Sequence, residues 1–131
     1  MRKKVTMPLW PAWLMLAGAA ACAVPAMTTS PPAAQRYEAR GQEPGWHLVI
    51  EDGRIDYAGD YGAVRITAPR PEPRPTANGR RFETPRLTVD IVNVRCNDSM
   101  SGHGYEDRVT VVADGRRFEG CGGARRTDWD V

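Results

Sequence analysis

Beyond Lys4 the chain contains no lysine. Helical periodicity is almost as scarce, and the strongly apolar segment near the start, residues 8–18 (PLWPAWLMLAG), is too short to span a bilayer comfortably. There are three cysteines and two histidines, and their spacing matches no zinc pattern. With arginine as the only cation after the first few residues, and acidic residues to match it, no basic tail is offered to nucleic acid. The lack of a 3.6-residue apolar repeat excludes a helix bundle. No G-x-S-x-G elbow is present, so the usual sequence support for a serine hydrolase is missing.

The beginning of the chain is the most telling part. Arg2, Lys3 and Lys4 precede the apolar stretch, and Ala19, Ala20 and Ala21 then lead into Cys22. This order predicts a bacterial secretory signal over residues 1–21. Small side chains ahead of a thiol suit lipoprotein processing, in which Cys22 is the lipid attachment site and the first mature residue. Ala19 stands where such signals usually carry Leu. Ordinary cleavage after Ala21 or Ala26 is the other reading, and it would leave a soluble periplasmic protein. Acyl chains on Cys22 would anchor firmly, at about 0.8 kcal/mol per buried CH₂. Ala23, where an Asp would favour retention in the inner membrane, points to an outer membrane lipoprotein facing the periplasm in a Gram-negative cell.

Removing the signal changes the charge. The mature chain keeps 15 Arg against 16 Asp and Glu, a net charge near −1, so the +2 of the whole chain belongs to the signal. Residues 22–36 (CAVPAMTTSPPAAQR) are rich in Ala, Pro, Thr and Ser and predict a flexible tether. Residues 37–123 are left as one β domain, small enough to benefit from a covalent staple, and residues 124–131 as a polar C-terminal tail.

Within that domain apolar residues recur at period two in short runs bounded by Gly, Pro and Asp-Gly, which predicts an all-β fold. Strands are expected over 46–50 and 54–58 around Asp52-Gly53, and over 61–67, where Val64 and Ile66 alternate. Four prolines in residues 68–79 predict an exposed loop or polyproline segment. Leu87, Val89 and Ile91 share one face; Val92, Val94 and Cys96 fall on the other phase, so a bulge is expected near Ile91-Val92. Tyr105, Val109 and Val111 alternate next. Asp114-Gly115 predicts a hairpin that pairs Ala113 with Arg116 and sets Val111 opposite Phe118. The expected architecture is a small antiparallel barrel or sandwich of about five to seven strands. Trp46, after Glu43-Pro44-Gly45, is expected to plug the core.

Cys96 and Cys121 form an even remainder in a chain read as exported, which predicts a disulfide. The alternative, a metal held by Cys96, Cys121, His47 and His103, lacks a recognised spacing, and neither metal nor cofactor is expected. Between Cys96 and the hairpin, Asp98, Ser99, Ser101, His103 and Tyr105 concentrate hydroxyls, a carboxylate and an imidazole. This is the candidate binding loop. A Ser–His–Asp arrangement can be written from it, but Asp98 and Ser99 equally suit turn capping through side-chain-to-backbone bonds.

Three motifs in order carry a resemblance: G41-Q-E-P-G-W46, C96-N-D-S-M-S101 followed by an aromatic, and G120-C121. Over residues 37–123 the chain resembles a family of small uncharacterised bacterial envelope proteins, many of them described as lipoproteins. The resemblance implies an exported β domain with Cys96 bonded to Cys121 and brings no activity. Glu106 stands where the family commonly has a Pro after the aromatic. More loosely, residues 101–105 (SGHGY) are similar to the S-G-x-x-x-Y segment of membrane-bound inhibitors of c-type lysozyme, although the Trp-rich strand and the Lys of those inhibitors are missing.

Together these features predict a non-enzymatic exported lipoprotein, a binding or accessory module of the envelope. Its expected partners are a membrane, through the N-terminal lipid, and an envelope protein or cell-wall component. The alternative is an inhibitor of a cell-wall hydrolase such as lysozyme, acting through Ser101 and Tyr105.

Overall fold

The structure is a computed structural model that describes residues 6–9, 11, 18 and 35–131. The signal apart from residues 6–9, 11 and 18, together with Cys22 and all of the tether except Gln35 and Arg36, lies outside the described residues.

The domain is all-β. Ten strands follow in chain order: β1 (Tyr37–Gly41), β2 (Trp46–Glu51), β3 (Arg54–Gly59), β4 (Val64–Pro69), β5 (Arg74–Thr76), β6 (Gly79–Glu83), β7 (Leu87–Val92), β8 (Cys96–Asn97), β9 (Gly104–Ala113) and β10 (Arg116–Arg125). All pairings are antiparallel, in the order β4-β3-β2-β1-β10-β9-β7-β6-β5, and β8 pairs with β9 off this path. The sheet curls into a half-barrel.

The count exceeds the expected five to seven because the additional strands are short or polar. Residues 74–76, placed by sequence in the proline-rich loop, form edge strand β5 and pair with Gly79–Arg81 of β6. An edge position tolerates Pro75, whose missing N–H breaks no inner ladder. β8 contributes only two residues, and β1 carries just one large apolar side chain, Tyr37.

Local chemistry accounts for the hairpins. Asp52 and Gly53 have φ of 42° and 75°, and Asp114 and Gly115 have 47° and 81°. Positive φ at both central residues is the two-residue turn whose twist matches the flanking strands. The second hairpin pairs Ala113 with Arg116 and Val111 with Phe118, as the Asp-Gly signal predicted. The bulge expected near Ile91-Val92 is not found. β7 ends at Val92, and the change of apolar phase marks that end. An irregularity instead interrupts β10 between Gly122 and Arg125, where Gly123 has φ 79°.

One core joins the two wings. Leu48, Ile50, Ile55, Tyr57 and Ile66 from β2–β4 pack with Phe82, Leu87, Val89, Ile91, Val109 and Val111 from β6, β7 and β9. Fully burying each large side chain contributes about 1.5–3 kcal/mol. The wings meet at the β1–β10 seam, where Gly41, Gly120 and Gly122 leave the inward face nearly bare of side chains. A Cβ on Gly41 or Gly120 would collide with the Trp46 indole, and one on Gly122 would collide with the Tyr37 hydroxyl. The seam thus makes room for two inward rings. Trp46 is 4 % exposed, the core plug its sequence context predicted. Among the described residues its Nε1 has no hydrogen-bond partner.

The last residues are part of the domain. β10 runs to Arg125, beyond the expected boundary at Gly123, and residues 126–131 fold back over the 97–104 loop. The N–H of Val131 donates to Gly102 O (3.0 Å), and Asn97 Nδ2 and an Arg95 guanidinium nitrogen both donate to Trp129 O (2.7 Å each). Arg126 and Arg95 flank the Trp129 ring at 4.7 and 5.7 Å.

Candidate functional site

The predicted binding loop begins at the disulfide. Cys96 and Cys121 are bonded, with Cα atoms 5.6 Å apart and a sequence separation of 25. Cys96 lies opposite Tyr105 on β9, and Cys121 lies opposite Arg108 of the same strand. The bond therefore ties β8 to β10 across β9. It also consumes both thiols, which removes the metal alternative. Among the described residues no group of three or more His, Cys, Asp or Glu gathers as a metal would require.

Asp98 organises the loop. Its Oδ1 accepts the N–H groups of Met100 (2.8 Å) and Ser101 (3.0 Å), and its own backbone joins His103 O and Gly102 N at 2.9 and 2.8 Å. Burial raises the pKa of this carboxyl, but the N–H donors of Ser101 and Met100, with the Gln42 amide and the Ser101 hydroxyl, together outweigh that effect and hold it below the usual carboxylate value. Ser101 Oγ accepts the backbone N–H of His103 (3.2 Å). Among the described residues no hydrogen bond joins this hydroxyl to the imidazole. The N–H of Gly104 donates to Asp130 Oδ1 (2.9 Å), and this bond is the main cause of the lowered pKa of Asp130.

The structure divides the five candidate residues. Asp98 is buried, and Ser99 and Ser101 stand at an exposed tip around Met100, which is 65 % exposed. Tyr105 is turned inward at 8 % exposed and packs against the disulfide. Asp98 and Ser99 line a small cavity of about 380 Å³ beside the disulfide, whereas His103 and Tyr105 line a different and larger cleft. Ser101 and Tyr105, paired in the inhibitor alternative, are therefore not presented together.

That larger cleft, about 980 Å³, opens at one mouth of the half-barrel. At its floor the buried row of β9 (Ala113, Val111, Val109) continues to Asp107, which is 7 % exposed, before it reaches Tyr105. The Tyr37 hydroxyl donates to Asp107 Oδ2 (3.0 Å), and Asn93 Nδ2 donates to Oδ1 (2.8 Å). Burial, followed by the charge of Asp107, raises the Tyr37 pKa far above the ordinary phenol value. The Arg80 guanidinium lies 5.2 Å from the Tyr37 ring centroid. The ring therefore bridges the two groups, with a carboxylate at its hydroxyl and a cation on its face.

Sequence reasoning missed Tyr37, Arg80, Asn93 and Asp107 as a site. A signal was present. Asp107 lies in phase with Val109 and Val111, and Arg80 lies in phase with Phe82, so each places a charge in a buried apolar row. Asn93 lies between strands and carried no such mark. No family model, curated protein or solved structure matches the chain.

Proposed function

We propose that this chain is a non-enzymatic binding module of a bacterial cell envelope, exported by its signal and held to the outer membrane through acyl chains on Cys22. Its ligand face is the cleft at the mouth of the half-barrel. The observation that carries this reading is the Asp107 carboxylate, nearly buried yet lining an open polar cleft with only neutral donors bonded to it. A cleft of this size with a few convergent polar groups suits a small ligand. The non-enzymatic part is supported by the 98–103 loop, whose polar groups are spent on holding their own turn rather than on activating one another.

Two measurements on the chain extracted from its own membranes test the proposal. Intact mass before and after reduction with alkylation is expected to show acylated Cys22 and two thiols that react only after reduction. An unacylated chain starting after Ala21 or Ala26 would make the protein soluble in the periplasm. Amide-shift mapping with a fragment library is expected to place binding at Tyr37, Asn93 and Asp107; shifts confined to the 99–101 tip would move the ligand face there.

A further inference from the structure

The charges in the cleft are unevenly matched. Arg36 pairs with Glu38 and Glu51, Arg40 with Glu38, Arg125 with Asp130, and Glu106 with Arg126. Among the described residues, Arg80 and Asp107 alone of the acidic and arginine side chains lining the cleft form no ion pair.

Both also keep hydrogen-bonding capacity in reserve. An ionised carboxylate has about four lone-pair sites. Asp107 uses one for Tyr37 and one for Asn93, both neutral donors. A guanidinium has five N–H donors in a planar fork matched to a carboxylate. No hydrogen bond from the Arg80 guanidinium to a described residue is present, and the group lies over the Tyr37 ring, 5.2 Å from its centroid. The site therefore offers an acceptor for a cation and, about one tyrosine ring away, a donor fork for an anion. A neutral polyol excluding water from this cleft would leave both formal charges uncompensated. A ligand with only one charge would compensate only one of them.

We propose that the cleft binds a small zwitterion, a free amino acid or a short peptide with free ends, with its ammonium on Asp107 and its carboxylate on the Arg80 fork. This assignment rests on the reading of the cleft as the ligand face. The remaining volume, bounded in part by His103 and Tyr105, houses side chains or a second residue.

The test is an amide-shift titration of the mature full chain, to millimolar concentration, with the common amino acids and alanyl-alanine. The same dipeptide with its N-terminus acetylated, the same dipeptide amidated at its C-terminus, and the neutral polyol sorbitol complete the set. Free amino acids or the free dipeptide should shift Tyr37, Arg80, Asn93 and Asp107 saturably, and each blocked dipeptide should bind about tenfold or more weakly. Arg80→Gln and Asp107→Asn should each weaken the free compounds to a similar degree while retaining the native spectrum. Because Asp107→Asn alters a nearly buried group, the blocked ligands and the half-exposed Arg80 keep the test decisive if that variant misfolds. Equal binding of free and blocked dipeptides overturns the zwitterion. Sorbitol binding in the cleft without the dipeptide overturns the ligand class but leaves the cleft as the ligand face. No shift in the cleft with any probe overturns both.

Discussion

At the scale of single residues, Asp98 shows how a side chain that looks chemical can be architectural. Its carboxylate holds two backbone N–H groups, and its folded pKa is lowered. A lowered folded pKa means that its contribution to stability is present above the unfolded value of about 3.9 and is lost as pH falls through the folded one. Asp98→Asn keeps an acceptor but not the charge. Hydrogen bonds to charged groups exceed neutral ones by about 1 kcal/mol. Urea unfolding of Asp98→Asn should therefore lie about 1 kcal/mol below the wild-type protein near pH 7, with the gap closing as the solution is acidified below about pH 4. A gap unchanged by pH would mean that the charge does not hold the turn. Asp107 presents the opposite case. It occupies a core-facing position, carries no countercharge among the described residues, and owes its interest to what remains unsatisfied.

At the scale of elements, the disulfide supports the weakest strand. β8 has two residues and, among the described residues, pairs only with Tyr105 and Gly104. Closing a loop of this length contributes about 3 kcal/mol by restricting the unfolded chain. Replacing Cys96 and Cys121 together with Ala should lower stability by about that amount in urea unfolding. The loss should be uneven. Hydrogen exchange is expected to quicken at the amides of Asp98 and Gly102, which depend on the loop, while Val109 and Val111 at the centre of the half-barrel stay protected. Equal quickening at both places would show that the bond supports the whole core. The seam of β1 and β10 is a second element-level device, since its glycines give Trp46 and Tyr37 their places.

At the scale of the molecule, the ends of the domain converge. β1 pairs with β10, and residues 126–131 cover the loop that sequence singled out. A partner approaching that loop meets Ser99, Met100 and Ser101, with Tyr105 withheld beneath. The inhibitor alternative would have Ser101 and Tyr105 meet the enzyme cleft together. C-type lysozyme assayed with excess purified chain should therefore keep its full activity. Stoichiometric inhibition would restore the inhibitor alternative and require the loop to open.

Much of the local structure was legible in the sequence because it rests on neighbours in the chain. Asp114-Gly115 implied its own pairing, period-two runs implied the inner rows, and an even pair of cysteines implied a bond. The bulge expected at Ile91-Val92 failed because a strand end and a bulge leave the same mark on apolar phase. Strand β5 was missed because prolines argue against a strand unless one knows that it lies at an edge. The cleft needed the curl. Tyr37, Arg80, Asn93 and Asp107 come from four distant stretches of chain, and local propensity says nothing of distance in space. The sequence by itself determined the all-β class, the turns and the staple, since each is a short-range matter of φ, period or a reactive pair. Only the tertiary structure decided that one inward row carries a carboxylate into a cleft, that an arginine lies one ring away, and that Tyr105 faces a disulfide, because those relations exist only once the sheet has curled about its glycine seam.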